Sequence, residues 1–364
     1  MIDEPAGLPL ETSTVASLTA VLPTVSPQRL VAELVPPPHF AQASFDSYLP
    51  DPAHPSQGAA VARLREAAER IRQGSGGKRL FRRKAAPEAV YLDGGFGVGK
   101  THLLASLAYA AGDPDEVAFG TFVEYTNLVG ALGFLPTVEA LAARKLVCID
   151  EFELDDPGDT VLMSRLLREL ADRGVALAAT SNTLPGSLGE GRFAAEDFLR
   201  EIQALAARFD VVRVDGEDYR HRAVVTDAAG LDDAVVARAA ADVPGATLDD
   251  FGALLDHLAR VHPSRYGALL DGVRLVGLTG MCPVRTQDVA LRLVVLVDRL
   301  YDRDVPVLLG GAGEHGLFSP EMLRGGYRKK YYRALSRLGA LAAQGAALVT
   351  DTSRPSTPPR PRRG

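Results

Sequence analysis

Between an apolar run at 89–93, Ala-Val-Tyr-Leu-Asp, and a helix-like stretch from Thr101, the chain places Gly94-Gly95-Phe96-Gly97-Val98-Gly99-Lys100-Thr101. This is G-x-x-x-x-G-K-[ST] with a strand before it and a helix after it, the setting the pattern requires. It constrains the fold more than any other feature of the sequence. Glycines let the backbone turn tightly, so that successive N–H groups face inward, and the following helix N-terminus adds its partial positive charge beneath an anion. The predicted phosphate-binding set is therefore Gly94, Gly95, Phe96, Gly97, Val98, Gly99, Lys100 and Thr101, with His102 adjoining. Lys100 is placed to reach the β- and γ-phosphates of a nucleotide, and Thr101 to offer its hydroxyl to Mg²⁺.

A phosphate cradle alone binds; hydrolysis also needs metal support and an activated water. "LVCIDEF" ends a second apolar run with adjacent carboxylates, Asp150 and Glu151. In a parallel sheet the C-terminal strand ends open onto the ligand crevice. Asp150 is thus expected in the magnesium shell and Glu151 as acceptor of the water's proton. A third run, "GVALAATSN", ends in Thr180, Ser181 and Asn182. An amide both donates and accepts, so Asn182 suits a place beside the terminal phosphate.

Short apolar runs alternate with helix-period segments through this region: 89–93, 118–125, 145–150, 175–180 and 210–214 are expected as strands, with helices at 159–172 and 195–207 between them. The pattern predicts an α/β core with a parallel sheet covered by helices on both faces. Ahead of it, residues 1–35 read as a flexible N-terminal arm. A lead-in segment follows at 36–57, interrupted by six prolines and punctuated by aromatics, and a helix is predicted from Gly58 to about Arg72. The core with its lead-in spans 36–222. A smaller C-terminal domain, 223–345, contains strand-like "VRLVGLTGM" and "DVPVLLG" and a helix at 286–302. The tail, 346–364, ends in a basic, proline-rich stretch expected to be disordered.

With 364 residues and 46% hydrophobic content, the chain can bury two moderate cores. A formal net charge of -6 lacks the basic footprint of a dedicated nucleic-acid binder. No apolar run approaches the ~18 residues needed to span a bilayer. The first residues are acidic and do not resemble a secretion signal, which makes the cytoplasm the expected location. Cys148 and Cys282 have no Cys or His neighbours at metal-ligand spacing and read as small buried residues. Lys78, Arg79, Arg82, Arg83 and Lys84 form a basic loop that reads first as solvated, and alternatively as a contact for nucleic acid or for an acidic membrane surface.

Taken in order, "GGFGVGKTHLL", "CIDEFELDD", "ATSNTLP" and "DGEDYRHR" resemble the ZapE-like branch of the AAA+ ATPases. "FDSYLPDPAHPSQ", "ALRLVVLVDRLYDRDVPV" and "ALSRL" extend the resemblance over roughly 35–340. It implies a P-loop NTPase core of the AAA+ type with a C-terminal lid, Mg²⁺-dependent ATP hydrolysis, and ATP and Mg²⁺ as cofactors. It also implies Asn182 as the sensor of the terminal phosphate and Arg292, on the lid helix, as a second sensor. The implied partners are a protein client, associated with a division ring or a membrane, and further copies of the chain in a nucleotide-dependent homo-oligomeric ring; nucleic acid is not expected. The sequence departs from the pattern at Ala195 and Asp197, where relatives carry arginines. Arg192 is then the nearest candidate for the finger that completes a neighbour's site, with Arg200 second. A helicase-loader type of AAA+ protein and a nucleotide-gated scaffold with little turnover are the alternatives.

Overall fold

The structure, a computed structural model, describes residues 15–74, 86–95, 97–152, 157–182, 207–217 and 229–352. They fold into two compact units. One is drawn from residues 24 to 224; the other combines residues up to 23 with those from 225 onward.

In the first unit the apolar runs become β1 (Ala89–Gly94), β2 (Val117–Thr121), β3 (Leu146–Asp150), β4 (Ala176–Ser181) and β5 (Asp210–Val214). They pair in parallel in the order β2-β3-β4-β1-β5. β1 carries apolar residues on both sides because both faces of the sheet are covered. Val90 and Leu92 face the core shared with α2 (Pro55–Gln73) and α3 (Lys100–Ala111). Tyr91 faces the opposite core, shared with α4 (Phe122–Leu132), α5 (Phe134–Ala142) and α6 (Pro157–Asp172). This is the expected α/β architecture, a parallel sheet covered by helices on both faces. The strand ends carrying Gly94, Asp150 and Ser181 lie together, since Asp93 stands opposite Ser181 and Ile149 opposite Ala179.

One predicted strand is shorter than expected. The run 118–125 stops being a strand at Thr121, whose hydroxyl accepts from the N–H of Glu124 while the Glu124 carboxylate accepts from the N–H of Thr121. This reciprocal capping box starts α4 inside the apolar run, so Phe122 and Tyr125 reach the core from a helix. The predicted helix at 195–207 falls almost wholly outside the described residues.

Residues 15–35 are not a loose arm. Ser26 caps and Pro27 opens α1 (Pro27–Ala32), which buries Leu30 and Val31 in the first unit. Residues 15–23 instead pack within the second unit, where Leu18 is 1% exposed.

The second unit holds a smaller parallel sheet, β6 (Ala246–Asp250), β7 (Leu275–Thr279) and β8 (Val307–Leu309), in that spatial order. Its helices are α7 (Asp233–Asp242), α8 (Phe251–Arg260), α9 (Tyr266–Leu269), α10 (Gln287–Asp302), α11 (Pro320–Arg324) and α12 (Arg328–Thr352). α12 corrects the predicted start of the tail at 346. "GALAAQGAALV" continues the helix, and its small residues let Gly345 pass so close to β8 that a Cβ there would meet Val307 O at 2.1 Å. Cys282 is exposed, contrary to its reading as a core residue, while Cys148 is buried. No helix among the described residues is long and apolar enough to cross a membrane.

α10 and α12 are joined by charge as well as packing. The Asp298 carboxylate accepts from Arg333 at 3.1 Å and Arg337 at 2.5 Å. Burial pushes this carboxyl up, but the two guanidinium groups outweigh it and hold it below its ordinary range. Such a group contributes stability above its unfolded pKa of about 3.9 and loses it as pH falls through the folded value. Asp298→Asn is therefore expected to cost about 1.5–3 kcal/mol at pH 7, the worth of hydrogen bonds to a charged group. Urea unfolding checks this, and the gap to wild type is expected to close below pH ~4.

Candidate functional site

The turn after β1 is shaped by backbone approach. β1 and β5 run so close at their ends that a Cβ on Gly94 would stand 2.2 Å from Val214 O. Gly99, the residue before α3, is left-handed at φ +87°, and a Cβ there would lie 2.7 Å from the Tyr48 ring. The α3 N-terminus thereby faces the loop with its N–H groups outward. Lys100 curls back over that loop: its ammonium donates to Gly94 O at 2.9 Å, Gly95 O at 2.5 Å and Asn182 Oδ1 at 2.8 Å. The phosphate lysine and the predicted sensor amide, 82 residues apart, are thus brought into direct contact.

Beside them a chain of hydroxyls and carboxylates crosses three elements. Thr101 Oγ1 lies 3.2 and 3.0 Å from the two Asp150 oxygens, and Thr180 Oγ1 donates to Asp150 Oδ1 at 2.5 Å. The same Thr180 hydroxyl accepts from the Glu151 N–H at 3.0 Å. An all-oxygen donor set of one hydroxyl and one buried carboxylate suits a hard divalent cation such as Mg²⁺. Thr101 and Asp150 are the residues that would hold it. Beneath them, burial drives the Cys148 thiol far up, with the Asp150 charge adding to the effect, so Cys148 stays a neutral packing group.

Glu151 occupies unusual backbone. Its φ is 55°, and Asp304 is the other described non-glycine residue with positive φ. A non-glycine residue held there costs on the order of 1–3 kcal/mol, and such strain gathers at functional sites. Its physical origin is Phe152. That ring is buried against Tyr91 and Phe122, and the Phe152 N–H is tied to Thr180 O at 2.7 Å. The kink lets Phe152 drop into the core while Glu151, partly exposed, stays at the strand end.

His102 does not face the glycine loop. Its Nε2 lies 3.0 Å from the Ser47 hydroxyl and 3.2 Å from Ser44 O, and its ring packs on Phe40 and Tyr48. It holds the lead-in segment rather than a phosphate. Arg292 is likewise engaged inside its own unit, donating to Leu258 O and Val261 O at 3.1 and 3.2 Å. These are carbonyls at the C-terminal end of α8, so the predicted second sensor has a capping role there. Phe96, Arg192 and Arg200 lie outside the described residues, as does the basic loop at 78–84.

Three features escape the motif reading. Tyr48, from the lead-in segment, donates to Val98 O at 2.9 Å and braces the loop from outside. Gln57, 1% exposed, accepts from the Asp51 N–H and donates to Asp215 O, both at 2.8 Å. It ties the segment entering the core to the segment leaving it. Arg213 pairs with Asp93, the residue just before the glycines, and with Asp215 at 2.7 Å. The hydrogen bond from Arg213 holds the Asp215 carboxyl below its usual range. The aromatic punctuation of 36–57 is the one sequence signal that pointed toward this bracing.

The AFG1-like ATPase family model matches residues 24–236 and 226–347. The cell division protein ZapE of Escherichia coli is 33% identical over 157 residues, covering 40% of this chain and 42% of that protein. An uncharacterised Schizosaccharomyces pombe protein is 27% identical over 172 residues, covering 39% and 38%. The chain therefore spans less than half the length of these curated relatives. Among solved structures, DnaI aligns with 16% identity and a TM-score of 0.38, over 52% of this chain and 98% of that one. The replication initiator DnaA bound to AMPPCP and single-stranded DNA aligns with 12% identity and a TM-score of 0.37, over 49% and 51%.

Tyr48→Ala removes the brace from Val98 O without touching a phosphate-facing group. It is expected to weaken nucleotide binding by ~10-fold, the factor that one lost hydrogen bond plus loosened preorganisation implies. Titration with a fluorescent nucleotide analogue measures it.

Proposed function

The chain belongs to the AFG1-like ATPase family, and from that premise we propose that its β1–α3 site binds Mg-ATP, hydrolyses it, and couples turnover to the remodelling of a protein client. The observation that carries this reading is the convergence of Lys100, Asn182, Thr101, Asp150 and Glu151 at the ends of three adjacent parallel strands.

Each residue has a defined part. Lys100 exchanges the carbonyls of Gly94 and Gly95 for phosphate oxygens, a move its flexible stem allows. Thr101 and Asp150 are the residues that would hold a magnesium ion, and the chemistry it would supply there is neutralisation of phosphate charge. Thr180 keeps the Asp150 carboxylate oriented and, through the Glu151 N–H, fixes the backbone from which Glu151 projects. Glu151 takes a proton from water as its oxygen attacks the γ-phosphorus, leaving ADP and inorganic phosphate. Asn182 holds Lys100 through its carbonyl oxygen, which leaves its NH₂ group to donate toward the terminal phosphate.

The finer assignments rest on the family and on the chemistry of the site. Completion of the site by an arginine from a neighbouring copy, Arg192 first, implies a nucleotide-dependent ring. ZapE is a cell division protein, which supports a division-associated client for this chain. The net charge of -6 supports a protein rather than a nucleic acid as partner.

Glu151→Gln is expected to bind ATP with affinity near that of wild type while turnover falls at least ~100-fold, the lower range for losing a general base. Phosphate release and nucleotide titration together check this. Unchanged turnover would remove Glu151 from the mechanism. The same variant, held in its ATP state, is the form to use for capturing the client.

A further inference from the structure

The second unit holds residues 15–23 through one β-bridge at Ala16 and a 3-10 turn, Leu18–Ala20, capped by Ser17. Residues 15–23 lie along the outer edge of β6, the strand at one side of the three-stranded sheet. Ala16 bridges Thr247 in parallel, and the Leu248 N–H donates to Ala16 O at 2.9 Å. The backbone thus adds a rung to an otherwise open edge, as in strand addition of a peptide.

The side chains supply the selectivity. The Asp249 carboxylate, buried, accepts from the Ser17 hydroxyl at 2.6 Å, the Thr19 N–H at 3.1 Å and the Leu18 N–H at 3.1 Å. His257, also buried, lies with Nε2 2.8 Å from Val21 O, so that nitrogen carries the proton and donates. Between these two anchors Leu18 enters the core formed with Phe251, Leu254 and Leu258. Past the anchors the segment turns outward: Leu22 is 71% exposed. Asp249 and His257 are positioned by β6 and α8 alone, so the receptor is assembled from residues more than 220 positions away from its occupant. The segment also lies outside the family match, which begins at residue 24.

We propose that the β6 edge, with Asp249, His257 and the hollow for Leu18, is a docking site for a Ser-capped Leu-Thr-Ala helical turn preceded by one β-bridge, filled within the chain by residues 15–23 and open to the same segment of a second copy. Every copy carries both halves of this interaction. The chain leaves the second unit directly after Pro23, and such a crossing is the hinge that strand exchange between identical chains needs. The exchange replaces each contact by its equal, so it costs little beyond association.

Two complementary variants of the full chain test this. Leu18→Asp spoils the segment and leaves the receptor intact; Asp249→Ala spoils the receptor and leaves the segment intact. In nucleotide-free buffer, sedimentation of an equimolar mixture is expected to show a complex that neither variant forms alone. A synthetic peptide of residues 15–23 is expected to dissolve it. The same peptide carrying Ser17→Ala should need at least ~10-fold more, the factor for one lost charge-assisted hydrogen bond. A mixture with no new complex overturns the proposal, and so does a complex indifferent to excess peptide. Should Leu18→Asp lose its cooperative thermal transition, Ser17→Ala with Thr19→Pro replaces it, removing the hydroxyl and one N–H donor without charging the core, and the same two outcomes decide.

Discussion

The hydroxyl of Thr180 is the point on which the site depends. It donates to Asp150 and accepts from the backbone of Glu151, so one oxygen sets both the orientation of the Asp150 carboxylate and the turn that presents the adjacent acid. This is possible because β4 lies next to β3 and β1, which puts the strand-end hydroxyl between Asp150 and the glycine loop. The left-handed backbone at Glu151 follows from the same geometry. The Thr180 carbonyl pulls the Phe152 N–H inward, the aromatic core accepts the ring, and the strain falls on the residue between.

Around that point the loop is supported from outside as well as from beneath. Tyr48 braces Val98, His102 fastens the segment carrying Tyr48, and Gln57 joins the way into the core to the way out. Arg213 secures the end of β5 to Asp93, immediately before the glycines. Residues 213–216 therefore touch the surroundings of the glycine loop through Arg213 to Asp93 and Asp215 to Gln57.

Much of this was legible in the sequence, and the parts that were not share a cause. The glycine loop, Asp150, Glu151 and Asn182 stand out in the sequence because each closes an apolar run expected as a strand, and the fold brings those strand ends together. The parallel sheet buried on both faces follows from runs such as 145–150 that are apolar without alternation, whereas the strand order β2-β3-β4-β1-β5 does not. What escaped depends on pairings distant in sequence or on a local contest. The early end of β2 required weighing the Thr121–Glu124 capping box against an apolar run. His102 and Arg292 have residue types that suit a nucleotide, yet nearby carbonyl and hydroxyl groups claim them. The anchoring of residues 15–23 was hidden because a nine-residue segment carries no periodicity, and its partner Asp249 looks from sequence like any acid closing a strand.

The split construction of the second unit bears on how the protein is made. Ser17 leaves the ribosome 232 residues ahead of the aspartate that receives it. At the usual synthesis rate of about 5–20 residues per second, that is a wait of roughly 10–50 s. The first unit is complete in sequence within that interval and can fold as a self-contained insert, while the edge of β6 does not yet exist. A newborn chain therefore trails a segment whose Leu18 has no core to enter, and on a shared message the neighbouring nascent chain offers it the earliest alternative home.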